Sequence, residues 1–381
     1  MSEENNLHML IVDDSPMVLS FATHVLKRLG IPILTADNGR DGLEKMQSLE
    51  PDILITDLMM PEMDGFELIK RVRADDRFAR THIIVMTALE QVEDKVRALQ
   101  LGANDYTVKP LDANEFSARV QAGIREMRLK RDLMQALDSL DRELKLVAHL
   151  QRRLLPKTLP QSDLFQTAAC YLPWRRAGGD YYDCFTDARG RLVAAIADVS
   201  GHGASAAVLM GMFRALLKHL VVEGDSASDL MVRLNSALLE NIGDDSDFIT
   251  AFLAFVDPDA GRLNYCAAGH GGMVLLGPEK GQMEFLPAGG TVLGSFEGPW
   301  PDATTSFAKG TFLVLYTDGL LEAEGENGEQ FGRRRLEEIL RAFDPADHPQ
   351  ALVDRLERSV KSFVRNQDLG DDLTIFVLKL L

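Results

Sequence analysis

Short apolar runs alternate with helix-like stretches through the first third of the chain. In the helix-like stretches, apolar residues recur every three or four positions, which is the spacing of one helix face. The strand-like runs are 8–12, 33–35, 53–56, 82–87 and 106–108, and the helical stretches are 16–29, 40–49, 65–73 and 91–101. This alternation predicts an α/β domain with a doubly wound, five-stranded parallel sheet, whose ligands bind at the carboxyl ends of the strands.

A long segment without proline or turn clusters follows, from 116 to 155, and it predicts that the last helix of the first domain continues. Apolar residues at 120, 124 and 127 have 4-3 spacing. A second series has heptad spacing with one polar member, and consists of Leu133, Leu137, Leu140, Leu144, Val147, Gln151 and Leu154. The two series differ in phase near 130–134, as in a stutter. A seam this narrow favours a dimeric coiled coil over a helix packed on its own domain.

Beyond Pro156 and Pro160 the pattern changes to strand-like runs separated by glycine-rich turns. The runs are 167–172, 191–197, 248–256, 262–267, 311–316 and 373–380, and the helical stretches are 204–220, 228–241, 333–343 and 350–366. Strands with long helices between and after them predict an α+β layered fold. We therefore divide the chain into a first domain (1–125), a helical linker (126–158) and a second domain (159–381).

Composition narrows the classes of protein. A chain of 381 residues, 46% hydrophobic and 26% charged, has the balance of a globular protein of two or three domains. A formal charge of -17 argues against nucleic acid and anionic membranes as partners. The polar, acidic amino terminus does not resemble a secretory signal, and three cysteines without a CxxC spacing indicate reduced thiols. We expect a cytoplasmic protein.

In the first domain, polar residues follow the strands at the ends where ligands bind. Asp13 and Asp14 follow the first strand, Asp57 the third, Thr87 the fourth and Lys109 the fifth. Clustered carboxylates repel one another unless a divalent cation neutralises them. With Mg²⁺ bound, one carboxylate can attack a phosphoryl group while Lys109 and Thr87 stabilise the charge on its oxygens. The Lys109-Pro110 bond is a candidate cis peptide that would aim the lysine.

This whole segment resembles the receiver domain of bacterial two-component response regulators. The matching motifs are Val12-Asp13-Asp14, Asp57-Leu58-Met59-Met60-Pro61-Glu62-Met63-Asp64-Gly65, Thr87-Ala88 and Val108-Lys109-Pro110. The resemblance implies that Asp57 is the phosphoacceptor. It also implies that Asp14, Asp57 and the Met59 carbonyl hold Mg²⁺ beside Asp13, and that Thr87 and Tyr106 form a switch pair.

In the second domain, aspartates with glycine neighbours lie beside strand-like runs. The first is in Asp198-Val199-Ser200-Gly201-His202-Gly203, between a buried run and a helix. The others are in 178–183, 316–319 and 370–374. Carboxylates and bare backbone carbonyls are the hard oxygen donors that Mg²⁺ and Mn²⁺ prefer. Their recurrence at strand ends predicts a convergent acidic metal cluster.

The order of these motifs resembles that of the PPM family of metal-dependent serine/threonine phosphatases, a β-sandwich flanked by helices. Within that family, this domain most resembles the bacterial branch that controls anti-sigma-factor antagonists. The motifs are Gly178-Gly179-Asp180, Asp198 to Gly203, Ala268-Gly269-His270, Thr317-Asp318-Gly319 and Asp371-Asp372-Leu373-Thr374. The resemblance implies that Asp198 bridges two Mn²⁺ or Mg²⁺ ions with the Val199 carbonyl as a further ligand. It also implies that Asp318 and Asp371 complete one ion and that Asp180 serves the other, directly or through water, with Asp372 as the second candidate of the final pair.

Two divalent ions of this kind activate water for in-line attack on phosphorus, so no enzyme nucleophile is required. Eukaryotic members of the family hold the phosphate with an arginine, and Arg175 and Arg176 are both near Asp180 in sequence. Glycine-flanked His202 and His270 are alternative metal ligands, although such histidines are more often structural or solvated. Gly178-Gly179-Asp180 also occurs in a diguanylate cyclase signature, but Tyr181-Tyr182 stands where that signature needs Glu-Phe.

The sequence thus predicts a response regulator whose phosphorylation at Asp57, by a sensor histidine kinase or a small phosphodonor, controls the phosphatase. The expected substrate is phosphoserine or phosphothreonine on a regulatory protein, with an anti-sigma-factor antagonist favoured. We expect a homodimer that binds neither nucleic acid nor membrane. The alternative is a non-catalytic adaptor that acts by protein binding.

Overall fold

The computed structural model describes residues 7–88, 92–174, 177–187, 189–222, 226–242, 247–287, 289–365 and 369–381. The chain divides into two compact units, Met1–Ser139 and Leu140–Leu381. No helix in these described ranges is both long enough and apolar enough to cross a membrane.

The first unit contains one parallel sheet with strand order β2-β1-β3-β4-β5. Its strands are β1 (Met9–Val12), β2 (Ile33–Ala36), β3 (Ile53–Asp57), β4 (His82–Thr87) and β5 (Asp105–Val108). The helices between them are α1 (Pro16–Leu26), α2 (Gly39–Leu49), α3 (Gly65–Arg73) and α4 (Val92–Gln100). The predicted doubly wound, five-stranded sheet is confirmed.

Local signals set the helix boundaries in this unit. Asn38 accepts hydrogen bonds from the backbone N–H groups of Arg40 and Asp41, and Asp64 caps the next helix in the same way through Glu67. Alternate strand residues face opposite sides of the sheet. Leu10 therefore packs toward α2 and α3, while Met9 packs toward α1 and toward α5 (Ala113–Leu154). Two apolar layers therefore hold the sheet between its helices.

The helix α5 runs without interruption from Ala113 to Leu154, and so extends through most of the predicted linker. Val120, Ile124 and Met127 are buried in the first unit, whereas Leu133 and Leu137 are more than half exposed. The first apolar series therefore packs on its own sheet, and the second series begins after that contact ends. The change of phase near 130–134 has this cause, and a stutter within one coiled coil is not needed to explain it.

The second unit contains two antiparallel five-stranded sheets, with orders β13-β10-β9-β8-β7 and β12-β11-β14-β15-β6. The strands are β6 (Phe165–Leu172), β7 (Tyr181–Thr186), β8 (Leu192–Val199), β9 (Ile249–Asp257), β10 (Arg262–Ala268), β11 (Met273–Leu276), β12 (Met283–Phe285), β13 (Ala303–Ser306), β14 (Phe312–Tyr316) and β15 (Leu373–Leu380). The helices are α6 (Ala204–Leu220), α7 (Ala227–Ile242), α8 (Gly319–Glu322), α9 (Gly332–Arg341) and α10 (Pro349–Val364).

The core of the second unit has a layered arrangement. One cluster joins strand residues of both sheets, such as Leu253 and Phe376, to apolar residues of α6 and α7. A second cluster joins the other face of the second sheet, including Val314, to Leu352 and Leu356 of α10. The two sheets therefore form a sandwich flanked by helices, as the sequence predicts.

The sequence pattern missed four strands: β7, β11, β12 and β13. All lie at or next to a sheet edge, and β12 and β13 are short and only partly buried. The β7 strand contains a polar residue, Asp183, which receives a hydrogen bond from the Tyr181 hydroxyl and an ion pair from Lys218 of α6. Burial of this paired carboxylate breaks the apolar alternation by which a strand is recognised.

Candidate functional site

The carboxylates of the first unit converge at the ends of β1 and β3. Asp13, Asp14 and Asp57 each offer one oxygen within 4.8 Å of the others. Asp13 and Asp57 are buried, whereas Asp14 is exposed. Lys109 Nζ donates to Asp13 Oδ2 at 2.6 Å and to Asp57 Oδ2 at 2.8 Å, and the Lys109-Pro110 bond is cis.

The surroundings of Asp57 act on its pKa in opposite directions. Burial raises the pKa of Asp57, the hydrogen bond and charge of Lys109 oppose that rise, and Asp13 adds to it. The Leu58 N–H also donates to Asp57 Oδ1 at 2.8 Å. Acidic oxygens this close together have the donor chemistry of a Mg²⁺ site, so the residues present fit that ion.

The other residues predicted for the site of the first unit are Met59, Thr87 and Tyr106. Met59 follows β3 with its side chain 61% exposed, while Thr87 ends β4 and is buried. Tyr106 lies in β5 and is half-buried, with Lys95 and Arg119 at 5.4 Å and 5.5 Å from its ring centre. These two cations stabilise the present position of the ring.

In the second unit, each predicted aspartate lies at or just beyond a strand end. Asp198 is the second-to-last residue of β8, and Asp180 directly precedes β7. Asp318 lies two residues after β14, and Asp371 lies two residues before β15. Asp180 is buried and accepts hydrogen bonds from two hydroxyls, Thr317 Oγ1 at 2.7 Å and Thr374 Oγ1. Sequence reasoning did not assign a role to these threonines, although both belong to the aspartate motifs.

Asp371 and Asp372 differ sharply in their surroundings. Asp372 is buried, and its two oxygens accept hydrogen bonds from the N–H groups of Trp174 and Gly179, each at 2.8 Å. A Cβ atom on Gly178 would lie only 1.5 Å from Asp372 Oδ2. Asp372 therefore holds the glycine loop in place. Asp371 is exposed and makes neither of these two hydrogen bonds.

The carboxylates of this site destabilise one another's charged forms. Burial raises the pKa of Asp198 to about 8, with further contributions from Asp318, Asp371 and Asp372. Burial and the charge of Asp198 raise the pKa of Asp180 well above its ordinary value. Across the described ranges, the trio in the first unit is the one group of three such residues within 4.8 Å.

Glycines bring the backbone close to these donors. A Cβ atom on Gly179 would lie 2.4 Å from the Val199 carbonyl oxygen and 3.2 Å from Asp198 Oδ1. The absence of a side chain therefore leaves room around a carbonyl and a carboxylate that face the same loop. Hard oxygen donors that repel one another when charged fit divalent cations such as Mn²⁺ or Mg²⁺.

The two motif histidines have different environments. His270 is buried, its Nδ1 lies 2.9 Å from Thr250 Oγ1, and its Nε2 lies 3.2 Å from the Tyr316 carbonyl oxygen. A carbonyl only accepts, so Nε2 carries the proton and Nδ1 accepts from the hydroxyl. Both ring nitrogens are thus engaged, which favours the structural interpretation. His202 is exposed and packs edge-on against Trp174.

Gln151 connects α5 to the glycine loop and was predicted only as the polar member of a heptad seam. Its Nε2 donates to the Gly178 carbonyl at 2.6 Å, and its Oε1 accepts from the Gly178 N–H at 3.1 Å. The helix end is therefore bonded directly to the motif that contains Asp180. The candidate phosphate-binding residues Arg175 and Arg176 lie outside the described residues.

The environment of His270 generates a prediction about acid stability. Burial lowers the pKa of His270 to about 4. At pH values between the ordinary pKa of histidine and about 4, the unfolded chain therefore binds a proton that the native chain does not. The free energy of unfolding should therefore fall by about 3 kcal/mol more for the wild type than for His270→Gln as pH drops from 7 to 4. Urea unfolding at a series of pH values measures this, with exposed His202→Gln as control. Equal pH slopes for the wild type and His270→Gln would contradict the prediction.

Two protein families match separate parts of the chain. The response regulator receiver domain family matches residues 9–121, and the Stage II sporulation protein E (SpoIIE) family matches residues 188–381. The phosphoserine phosphatase RsbU of Bacillus subtilis is 30% identical over 241 residues, which cover 62% of this chain and 70% of RsbU. The DNA-binding regulator RpaA of Synechocystis is 38% identical over 116 residues, covering 30% of this chain and 48% of RpaA.

The chain spans about half the length of the first curated relatives it matches. Among solved structures, the SiaA-PP2C domain of Pseudomonas aeruginosa superposes with a TM-score of 0.57 at 22% identity, covering 64% of this chain and 98% of that domain. This likeness establishes the sandwich fold of the second unit. The chain belongs to the Stage II sporulation protein E (SpoIIE) family, as a response regulator whose receiver domain is joined to a PPM-type phosphatase domain.

Proposed function

We propose that this protein is a metal-dependent phosphatase that removes phosphate from serine or threonine of a regulatory protein, under the control of phosphorylation at Asp57. The observation that carries the proposal is the joining of two carboxylate sites in one chain, the second of them in a domain that matches the SpoIIE family, in a chain 30% identical to the phosphoserine phosphatase RsbU over 241 residues. The receiver cluster supports a phosphoacceptor, and the second cluster supports hydrolysis.

In the receiver, Asp57 acts as the phosphoacceptor and Lys109 stabilises the charge on the transferred group. Lys109 already donates hydrogen bonds to Asp13 and Asp57, so a small movement would let it donate to the oxygens of a phosphoryl group on Asp57. Asp13, Asp14, Asp57 and the Met59 carbonyl would hold Mg²⁺. Thr87 responds to the phosphoryl group, and Tyr106 moves with it.

In the phosphatase domain, Asp198 would serve both metal ions and the Val199 carbonyl would be a further ligand, with Asp318 and Asp371 on one ion and Asp180 on the other. When bound, two Mn²⁺ or Mg²⁺ ions lower the pKa of water and stabilise the charge that develops on phosphate. Thr317 and Thr374 hold the Asp180 carboxylate in one orientation. Asp372 fixes the Gly178-Gly179 loop, so that Asp180 and Asp198 keep their separation.

The partners follow from this chemistry. A sensor histidine kinase or a small phosphodonor supplies the phosphoryl group for Asp57. The substrate is a phosphorylated regulatory protein, since the chain resembles the phosphoserine phosphatase RsbU over 62% of its length. An anti-sigma-factor antagonist is the favoured class because the aspartate motifs resemble those of the bacterial PPM branch that controls such proteins. The strongly acidic composition, with a formal charge of -17, supports protein partners over nucleic acid or anionic membranes.

The linker supports a homodimer built through α5. Leu133, Leu137 and Leu140 are 60%, 51% and 53% exposed at heptad spacing. A stripe of exposed leucines on a long helix is the pattern of a coiled-coil seam whose partner helix covers it.

The first test concerns the metals of the phosphatase. Replacing Asp198 by Asn removes a shared charge, so hydrolysis of a phosphoserine peptide in Mn²⁺ should fall at least a hundredfold while the thermal unfolding temperature stays near that of the wild type. Removal of Mn²⁺ by a chelator should silence the wild type equally. Near-wild-type hydrolysis by Asp198→Asn would refute the site, and a metal-independent wild type would favour the adaptor.

The second test concerns receiver control. Treatment with beryllofluoride, which mimics a phosphoryl group on aspartate, should change the hydrolysis rate of the wild type by about fivefold or more. Asp57→Asn should show no change and no labelling by acetyl phosphate, yet keep its basal Mn²⁺-dependent rate. Labelling that persists in Asp57→Asn and disappears on mutation of another aspartate would overturn the phosphoacceptor assignment.

The third test concerns the dimer. Leu137→Asp places a charge in the proposed seam without disturbing a buried contact, so dimer affinity should weaken about thirtyfold, or about 2 kcal/mol. Sedimentation velocity measures the mass of both forms. Ser139→Asp, which lies off the seam on the same helix, should remain dimeric. A wild type that is monomeric with and without beryllofluoride would rule out this interface.

A further inference from the structure

We propose that the amino-terminal edge of the receiver sheet is a seat for α5, and that Arg131, Gly123 and His82 are positioning residues through which a change at Asp57 reaches the linker. This inference rests on the proposed function, because it concerns how receiver phosphorylation controls the phosphatase. The seat lies at the opposite end of β3 and β4 from the phosphorylation site.

An ion pair forms the first contact of the seat. Arg131 Nη2 lies 2.6 Å from Asp52 Oδ1, and Asp52 Oδ2 accepts the His8 N–H at 2.9 Å. The Asp52 side chain is only 16% exposed, so its charge is less screened than that of a surface carboxylate. Asp52 directly precedes β3, and Arg131 lies in the part of α5 that we assign to the linker.

A close steric fit forms the second contact. His82, the first residue of β4, is buried at 5% exposure. A Cβ atom on Gly123 would lie 2.8 Å from His82 Cδ2 and 2.9 Å from Nε2. Glycine therefore allows α5 to approach the start of β4 at a distance that any larger residue would prevent. Glu126, one turn further on, lies 3.5 Å from His82 Nδ1.

The same two strands end at the phosphorylation site. β3 runs from next to Asp52 to Asp57, and β4 runs from His82 to Thr87. They pair in register from Ile53 with His82 to Asp57 with Met86, and every residue of both is buried. Short, paired and buried strands resist bending, so movement at one end can be transmitted to the other as a shift of the whole strand.

The seat also determines which face of α5 carries the exposed leucines. Residues two positions apart on a helix differ in direction by about 200°. A helix held by Arg131 therefore turns Leu133 away from the receiver, in agreement with the 60% exposure of Leu133. A small displacement of β3 or β4 at the seat would rotate this face and, with it, the seam.

The first experiment compares Arg131→Met with Arg128→Met in the full-length chain. Arg128 is exposed on the same helix, so it controls for loss of one positive charge. The readout is the ratio of phosphoserine peptide hydrolysis with and without beryllofluoride. Arg131→Met should move this ratio at least about threefold toward one. Its acetyl phosphate labelling and basal Mn²⁺-dependent rate should stay within about twofold of the wild type, and Arg128→Met should keep the full ratio.

The second experiment uses the steric fit and a compensating change. Gly123→Ala should also move the ratio toward one, and adding His82→Ser, which removes the ring that the new methyl group meets, should restore it. A merely structural role would not produce restoration at unchanged labelling. Loss in Gly123→Ala without recovery in the double variant would overturn the assignment of Gly123 and His82.

The outcomes separate this inference from the proposed function. A wild-type ratio of one would overturn receiver control and this inference together. A wild type that responds, with Arg131→Met and Gly123→Ala responding equally, would overturn the inference alone.

Discussion

Carboxylates that repel one another have to be held side by side in both units, and the rest of the structure is arranged around that requirement. In the receiver, Lys109 bonds Asp13 and Asp57 and offsets part of their repulsion. In the phosphatase domain, hydroxyl and backbone N–H donors hold Asp180 and Asp372. Strand ends fix the positions of these groups, and divalent cations are the partners that would neutralise them.

Glycines allow the backbone to approach those carboxylates as closely as this arrangement needs. Gly178 fits between Asp372 and Gln151, so one residue without a side chain links a buried carboxylate to the end of α5. At the other end of α5, Gly123 fits against His82. Within each unit separately, the same helix is thus in contact with a strand or loop that leads to a carboxylate site. This is the physical basis for assigning control to the linker.

The exposed leucines between these two contacts have a different role. A receiver-facing series ends at Met127, and Leu133 begins a stripe that is exposed in a single chain. Burial of apolar side chains at heptad spacing against a partner helix lowers the free energy relative to their exposure to water. The helix therefore has one face that packs on its own domain and another that the proposed dimer would cover, and a rotation of the helix changes the direction of both.

The sequence by itself determined the parallel sheet, the sandwich, the aspartates at strand ends and the strands other than β7, β11, β12 and β13, because periodicity and turn residues act over a few neighbouring positions. Only the tertiary structure decided that Asp372 holds a loop while Asp371 stays exposed, since two adjacent aspartates look alike in sequence. It also decided the threonine contacts of Asp180 and the pairing of Gln151 with Gly178. Those contacts depend on which backbones long-range packing brings together, and no local pattern encodes that choice.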